Sequence, residues 1–469
     1  MMLQCWIGID VGAHGIRGVA LKDTLELVAE ATADIPTYFP GAGWAIQRPG
    51  DLQEALNNVM RRLSVQIHTL GYQIQGIGFD GTASLMLVTS HLEPLSDVIL
   101  WMDLRAHQEA QIISRFTGVA ESAELPWAKA VWIVNHSTED LRNTFLVEAD
   151  EWLCSLLTGQ SFRGRTNAIL KWHGQGEMAL PVWAREFPQV VERLPERICS
   201  LNTPVGNLRQ EWCEAWGIAN TVVIMPPIID AYAAAIGVGA VRPGTMALIM
   251  GTSACELFHG TFRGPVAGLW GPYSDPYECG VDVLEAGQPS VGSVVDWIWR
   301  LTSPTLSMEE FDMLAGGIAP GSNGMRFSPA FQGIRSPWPD ASAQGQMRGL
   351  GLEHTGAHML RACYEATACD IKRIFDVIPV NERSQQVIVT GGASQSPVWM
   401  QIIADVCELP IDIADSRATP RGAAMLAMGS DFETSTNTSI LSHIEPGEHR
   451  LFYQGFYEDY CSLFPLRRG

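Results

Sequence analysis

The feature that most constrains the fold is a β-hairpin built around a glycine-rich turn, which occurs twice along the chain. In residues 6–21 a short apolar strand leads through Asp10 into a turn, and a second apolar strand follows. Residues 246–258 repeat the pattern around the tripeptide at 251–253. Tight hairpin turns expose backbone N–H groups that can bind anions. Two such hairpins about 240 residues apart predict two similar domains, each with a turn suited to phosphate.

Length and composition narrow the class of protein. A chain of 469 residues exceeds one ordinary core, so two domains are expected. With 46% apolar and 17% charged residues, a large core is expected and disorder is not. The net charge of −20 argues against nucleic acid or an anionic membrane as partner.

The cellular compartment is inferred from the cysteines and the absence of targeting patterns. Ten cysteines occur without CxxC pairs, which is typical of buried thiols in a reducing compartment. The chain runs from Met1 into its first expected strand within five residues, with no basic leader or cleavage site, and no apolar run reaches membrane length without a charge, Pro or a string of Gly. A soluble cytoplasmic protein is therefore expected.

Short Ile- and Val-rich strands alternate with amphipathic helices, which predicts an α/β fold. Strands are expected at 7–10, 16–21, 76–79, 86–89, 222–225, 246–250 and 387–390, and helices at 52–70, 105–117, 148–157 and 355–377. Thr355 is the expected N-cap of the last helix. Turn residues 242–244 predict a division into domains 1–243 and 244–469.

Two turn segments are candidates for phosphate chemistry. Asp10 ends an apolar strand, where a carboxylate is costly unless it is used, so it could hold Mg²⁺ beside a phosphate or only cap its own turn. Gly251, Thr252 and Ser253 offer N–H groups and two hydroxyls. They could bind ATP phosphates or form a plain hairpin turn. The pairing of the two hairpins favours the phosphate hypothesis for both.

Two segments at strand ends leave two interpretations open. Asp230 lies where an apolar strand meets an Ala- and Gly-rich helix start, so it could accept a proton from a sugar hydroxyl, cap the helix, or do both. Gly391 and Gly392 could let the backbone approach an adenosine, or could form a helix-entry turn.

Polar residues in the first half are candidates for reading sugar hydroxyls. They follow apolar strands, at Asp80, Thr82 and Ser84 and again at Asp103. Asp103 and Arg105 could equally form a structural ion pair. His14 is expected to face solvent.

Several of these segments, taken in order, resemble the FGGY carbohydrate kinases, and the similarity extends over nearly the whole chain. The branch typical of ribulokinases is the most similar. The matching segments are residues 40–49, 79–85, 100–106, 171–172, 269–273, 285–290, 333–337 and 390–397.

The resemblance implies two actin-like ATPase (ribonuclease H-like) domains facing each other across a cleft. Residues 1–243 would bind sugar and Mg²⁺, and residues 244–469 would bind ATP. Asp230 would be the catalytic base and Asp10 the Mg²⁺ ligand, with a ketopentose as the substrate and Asp80, Thr82, Ser84, Asp103 and Asp230 as sugar contacts. ATP would be held by Gly12, Arg17, Gly251, Thr252, Ser253, Gly391, Gly392 and Ser396. A homodimer is possible.

The first loop departs from the pattern of this family, D-x-G-T-x-S-x-R. Ala13 and Gly15 replace both hydroxyl residues, while Asp10, Gly12 and Arg17 match. Losing a hydroxyl donor predicts a slow kinase more readily than an inactive one. The leading hypothesis is an ATP- and Mg²⁺-dependent kinase of a ketopentose such as ribulose. The alternatives are a kinase of xylulose, a tetrose or glycerol, and a catalytically weak sugar- or nucleotide-binding regulator.

Overall fold

The computed structural model describes residues 3–117, 121–175, 180–219, 221–429 and 440–466. Across these ranges, no helix combines the length and the apolar character that crossing a membrane requires. The chain forms two compact units. Unit 1 groups residues 1–237, 276–279 and 419–437, and unit 2 groups residues 238–275, 280–418 and 438–469. Each unit therefore takes residues from more than one stretch of the chain.

The central sheet of unit 1 is built on the first predicted hairpin. Strands β1 (Leu3–Val11) and β2 (Gly15–Leu21) pair antiparallel, and β3 (Leu27–Asp34) continues the meander. On the other side of β1, strand β5 (Tyr72–Gly81) runs parallel to it, and β12 (Val223–Ile224) is parallel to β5. The alternating apolar residues of β1, Cys5, Ile7 and Ile9, are fully buried in the core.

The remaining strands of unit 1 are short. They are β4 (Ile46–Gln47), β6 (Leu85–Thr89), β7 (Val98–Ile99), β8 (Thr144–Glu148), β9 (Arg163–Gly164), β10 (Ile198–Cys199), β11 (Gly206–Asn207) and β13 (Ile228–Ile229). The helices are α1 (Pro49–Thr69), α2 (His107–Thr117), α3 (Pro126–His136), α4 (Ala149–Thr158), α5 (Arg165–Lys171), α6 (Pro188–Val191), α7 (Gln210–Trp216) and α8 (Asp230–Gly237). Helix α2 begins two residues later than the expected 105, because Asp103 binds the backbone and side chain of Arg105.

Unit 2 repeats this arrangement around the second predicted hairpin. Strands β14 (Thr245–Met250) and β15 (Ala254–Gly260) form the hairpin, and β17 (Asp282–Gln288) continues the antiparallel meander. Strands β20 (Gln386–Thr390) and β21 (Ile411–Ala414) extend the sheet in parallel on the other side of β14. The same sequence of antiparallel and parallel pairs occurs in unit 1, so the predicted repeat is confirmed.

The other elements of unit 2 cover or extend this sheet. The strands are β16 (Trp270–Tyr273), β18 (Arg326–Ser328), β19 (Gln346–Arg348) and β22 (Ile440–Ile444). The helices are α9 (Gly292–Thr302), α10 (Met308–Gly316), α11 (Gly356–Val377), α12 (Pro397–Cys407) and α14 (Arg450–Leu463). Helix α11 starts directly after the expected N-cap Thr355, and its stripe Leu360, Cys363, Thr367, Ile371 and Ile374 is buried as predicted.

Helix α13 (Ala418–Met428) packs on the sheet of unit 1 at unusually close range. A Cβ atom on Gly8 of β1 would overlap the carbonyl oxygen of Pro420, and one on Gly78 of β5 would overlap that of Ala423. A Cβ on Gly422 would in turn overlap the carbonyl of Ala233 on α8. Glycine at these positions lets the backbone of α13 touch the backbones of β1, β5 and α8. This contact fixes the position of α8.

We therefore expect Gly78→Ala to destabilise the protein by about 3 kcal/mol, because the new methyl group meets a backbone carbonyl that cannot rotate away. The control is Gly50→Ala in the exposed first turn of α1, where a Cβ has no neighbour within 4 Å. That variant should stay within about 1 kcal/mol of the parent protein. Urea unfolding measures both, and equal stabilities of the two variants would contradict the close packing.

Candidate active site

Three aspartates meet at one end of the unit 1 sheet. Asp10 and Asp80 lie opposite each other in the parallel register of β1 and β5. Strand β13 pairs with the same end of β5, with Ile228 opposite Asp80, so Asp230 follows two residues later. The carboxyl ends of parallel strands are where α/β sheets collect functional groups. The register of the sheet thus places Asp10 and Asp230, which are 220 residues apart in the chain, at the same end of the sheet.

Burial and mutual repulsion raise the pKa values of the first two aspartates. Asp10 is partly buried, and desolvation followed by the charge of Asp230 raises its pKa to about 6, against the opposing charge of Arg17. Asp80 is fully buried, and its two oxygens accept no hydrogen bond from the described residues. Desolvation, then Asp10 and Asp230, raises the pKa of Asp80 well above its usual range. The site therefore favours the protonated form of Asp80 next to a carboxylate, Asp10, whose pKa is about 6.

Asp230 occupies the first position of α8. Its Oδ1 accepts a hydrogen bond from the backbone N–H of Ala231 at 2.7 Å, and the side chain is partly exposed. The helix N-terminus favours the ionised carboxylate. This contact with the adjacent N–H and a base role are compatible, because each oxygen of a carboxylate can accept more than one hydrogen bond.

A second group of acids adjoins this site and was missed by sequence reasoning. Asp150 and Glu151 open α4, and Glu148 ends β8. A Cβ on Gly81 would lie 2.5 Å from Asp150 Oδ2, so this carboxylate packs against the end of β5. Burial raises the pKa of Asp150 to about 6 and that of Glu151 to about 8. The only signal in the sequence was that three of the four residues 148–151, in an otherwise apolar segment, are acidic.

The first loop is held by groups outside it. The carbonyl of Ala13 accepts hydrogen bonds from Thr37 Oγ1 and Gln47 Nε2, both at 2.8 Å. The Gly12 N–H donates to the Gly15 carbonyl at 3.0 Å. The loop is thus rigid without its own hydroxyl side chains.

The residues on either side of the loop differ in exposure and in room for a side chain. Arg17 lies opposite Asp10 in the hairpin and is exposed, as is His14. At Gly15 a Cβ would lie 2.6 Å from the Ala33 carbonyl, so a serine would not fit without a backbone shift, whereas Ala13 already carries a Cβ.

In unit 2 the turn at Gly251, Thr252 and Ser253 is exposed or partly exposed. The Gly251 N–H donates to the Ser253 carbonyl, and the carbonyls of Gly251 and Thr252 accept N–H groups from residues 291–293 at the start of α9. Neither turn hydroxyl forms a hydrogen bond with a residue that the structure describes. The turn is therefore anchored through its carbonyls, which leaves both hydroxyls available.

The residues of the second glycine segment, 391–396, differ in their structural roles. Gly391 has φ of 103° and a Cβ there would overlap the Met250 carbonyl, so it is required by the fold. At Gly392 a Cβ would have open space around it. Ser396 is the N-cap of α12: its hydroxyl accepts the Trp399 N–H at 3.0 Å and donates to Asp312 at 2.5 Å. The alternative of a helix-entry turn is thus realised here, next to an open surface at Gly392.

The predicted sugar contacts Ser84 and Asp103 are engaged within unit 1. Asp103 Oδ2 accepts from Arg105 Nη2 at 2.7 Å and from the Ala45 N–H at 2.6 Å, and Oδ1 accepts from Arg105 Nε at 2.9 Å. The structural ion pair that the sequence left open therefore forms. The Ser84 hydroxyl accepts the Trp101 N–H at 3.1 Å and contacts Thr82 Oγ1 at 2.8 Å. Thr82 is the more exposed of these two hydroxyl residues.

The residues around Asp10 are compatible with Mg²⁺. The described part of the chain contains no group of three or more His, Cys, Asp or Glu side chains arranged as a metal site. Mg²⁺ keeps several water ligands and is commonly held by one or two carboxylates together with substrate phosphates. Asp10, a strand-end carboxylate beside the glycine turn, fits that mode of binding.

The raised pKa of Asp10 makes a prediction about stability. A carboxyl group whose folded pKa exceeds its unfolded pKa destabilises the fold progressively as pH rises from about 4 to about 6, and fully above that. Asp10→Asn removes this cost. It should raise the free energy of unfolding at about pH 8 by roughly 1–2 kcal/mol and change it little at about pH 4.

The matched control is Asp140→Asn. Asp140 is exposed, and its hydrogen bonds with Arg142 lower its pKa to about 2, so its removal should bring no gain at high pH. Urea unfolding at both pH values checks the pair. A stability difference for Asp10→Asn that does not grow with pH would contradict the raised pKa.

Comparison with known proteins identifies the relationship. The N-terminal domain of the FGGY family of carbohydrate kinases matches residues 5–237, and the C-terminal domain of that family matches residues 246–430. A ribulokinase from Geobacillus thermodenitrificans is 29% identical over 90% of this chain and 85% of its own length. A xylulose kinase from Lactococcus lactis is 26% identical over 90% of this chain and 87% of its own length.

A solved structure shows the same fold. The crystal structure of a xyloylose kinase from Brucella ovis superimposes with a TM-score of 0.86 at 21% identity, covering 98% of this chain and 99% of that one. The predicted α/β class with two actin-like domains is thereby confirmed. Because both domain profiles match and together cover most of the sequence, the chain belongs to the FGGY family of carbohydrate kinases and is an ATP-dependent sugar kinase.

Proposed function

We propose that the sugar is a ketopentose such as ribulose, phosphorylated on a primary hydroxyl by in-line transfer from ATP. The observation that carries the proposal is the meeting of Asp10 and Asp230 at one sheet end, where the charge of Asp230 raises the pKa of Asp10. A pair of acids in this arrangement supplies both functions that phosphoryl transfer needs, a base and a cation ligand. The similarity to ribulokinases supports the choice of a pentulose.

Asp230 is the proposed general base. Its partly exposed carboxylate, oriented by the Ala231 N–H, takes the proton from the attacking sugar hydroxyl as the bond to phosphorus forms. Asp10 is the proposed ligand of Mg²⁺, which, when bound, offsets the charge developing on the phosphate oxygens. Burial and the charges of Asp10 and Asp230 raise the pKa of Asp80, which disfavours a third negative charge beside these two carboxylates.

The ATP contacts are proposed on both domains. Thr252 and Ser253 offer their available hydroxyls and the Gly251 turn its backbone to the phosphates, while Gly392 supplies an open surface for adenosine. Gly12 and Arg17 border Asp10 and complete the proposed phosphate contacts. The role of Ser396 is now proposed to be indirect, since its hydroxyl caps α12.

The sugar contacts proposed in unit 1 are Asp230 and the hydroxyl of Thr82. The buried Ser84 and Asp103 act through the groups that they hold, the Trp101 N–H and Arg105, and the buried Asp80 acts through its interaction with Asp10. The Mg²⁺ requirement, a homodimer and a cytoplasmic location stay predictions from the sequence.

Two alternative functions can be distinguished from this proposal by experiment. Similarity to a xylulose kinase favours a second ketose as substrate, so a panel of pentuloses, tetruloses and glycerol is the appropriate test. The missing hydroxyl at Ala13 favours a weak enzyme whose main role is to bind sugar or nucleotide.

Asp230→Asn should lower kcat by about 10²–10⁴-fold in a coupled assay of ADP release, because the amide cannot accept the proton. The matched control is Asp51→Asn, another partly buried acid in the first turn of a helix of unit 1, which accepts the Tyr38 hydroxyl at 3.1 Å. Its kcat should stay within about twofold. Equal turnover by Asp230→Asn and the parent enzyme excludes Asp230 as base, and no sugar-stimulated turnover by the parent enzyme favours the binding regulator.

Ala13→Thr should raise kcat by about tenfold, because it restores a hydroxyl donor at a position where the backbone is already fixed by Thr37 and Gln47. Ala13→Val has the same shape without the hydroxyl and should bring no gain. Steady-state kinetics with the preferred sugar measures both. A gain shared by the valine variant, or no gain with threonine, would show that the loop hydroxyl does not limit the reaction.

A further inference from the structure

A fully buried lysine lies next to the segment that leads from Trp101 to Arg105. Lys129 on α3 has no exposed surface. Its Nζ donates hydrogen bonds to the carbonyl oxygens of Trp101, at 2.8 Å, and of Glu124, at 2.7 Å. Burying an ammonium group is costly unless its hydrogen bonds are satisfied. The two hydrogen bonds to these carbonyls therefore explain how a lysine is accommodated at this buried position.

The same residue, Trp101, is held on its other side by Ser84. The Trp101 N–H donates to Ser84 Oγ, whose hydroxyl also contacts Thr82. Ser84 follows Ala83, which adopts a left-handed φ of 56° in the turn after β5. A non-glycine residue in this region is strained, and such strain is tolerated where the surroundings determine the geometry. Ser84 and Lys129 thus clamp one residue through its N–H and its C=O.

The far end of the segment is fixed as well. The Arg105 guanidinium binds Asp103 and stacks on the ring of Trp44 at 3.9 Å and on that of Trp132 at 5.0 Å. The Trp101 side chain between these anchors is partly exposed. A segment whose backbone is held at both ends loses less conformational entropy when a ligand binds beside it.

We propose that Lys129 is a positioning residue for sugar binding, which acts by fixing the Trp101 peptide together with Ser84. The inference rests on the proposed function, in which Thr82 beside this clamp contacts the sugar. Lys129 itself is enclosed by protein and does not touch substrate. Its loss should therefore weaken sugar binding and leave the ATP contacts of the other unit unaffected.

The test compares Michaelis constants for the two substrates. Lys129→Met removes both hydrogen bonds at similar volume, and it should raise the KM for the preferred sugar by about tenfold, the order of effect expected when ordinary hydrogen bonds are lost. The KM for ATP should change by less than about twofold. Lys372→Met on α11, which removes a lysine that pairs with Asp376, is the matched control and should change neither constant.

A second variant protects the test against misfolding of Lys129→Met. Ser84→Ala removes the other half of the clamp with little change in volume and should raise the same KM. The buried hydroxyl of Ser64, which donates to the Arg61 carbonyl within α1, provides its control as Ser64→Ala. If both variants act on one peptide, the double variant should raise the sugar KM by less than the product of the single effects.

Four outcomes are distinguishable. A raised sugar KM with an unchanged ATP KM in either folded variant supports the clamp. Turnover by the parent enzyme with an unchanged sugar KM in folded Ser84→Ala and Lys129→Met overturns it. Equal rises in both KM values also overturn it, because they indicate a general structural defect. Absence of sugar-dependent turnover in the parent enzyme refutes the proposed function instead.

Discussion

The structure depends most on the electrostatic cost of placing several carboxyl groups at one end of the unit 1 sheet. The parallel register of β1 and β5 sets Asp10 opposite Asp80, and β13 adds Asp230 at the same end. Ionising all of them at short range is unfavourable, so burial and repulsion raise the pKa of Asp80 well above its usual range and that of Asp10 to about 6. A separation of pKa values of this kind is what acid–base and cation chemistry on one site requires.

The close packing of α13 supports that arrangement. Gly8 and Gly78 bring the helix backbone onto β1 and β5, and Gly422 brings it onto α8, at whose first position Asp230 lies. The clamp around Trp101 uses the same principle by different means, because hydrogen bonds from Ser84 and Lys129 hold a backbone segment in place. In both cases the polar groups are oriented by rigid backbone before any ligand binds.

The sequence predicted the elements that depend on local pattern. The two hairpins, their repetition and the long helix after Thr355 follow from apolar periodicity and turn residues. Asp10 and Asp230 were identified because an acid at the end of an apolar strand is unusual. The acids around Asp150 were missed, since only tertiary packing against Gly81 brings them to the site.

Pattern alone also could not separate residues that face a ligand from those that hold the fold. Ser396 and Asp103 matched the expected types, yet their hydrogen bonds are taken up by α12 and by Arg105. Lys129 carried no signal in the sequence, because its proposed role depends on the carbonyl of Trp101, which lies 28 residues away in the chain. The two missing loop hydroxyls looked equivalent, but a Cβ at Gly15 would meet the Ala33 carbonyl, whereas Ala13 already carries a Cβ.

The most direct test of the carboxylate site is the pH dependence of kcat/KM for ATP at saturating sugar, which reports groups ionising before the nucleotide binds. An acid limb with a midpoint near the Asp10 pKa of about 6 is the result expected, and a profile that stays flat from about pH 5 to 8 would contradict the account.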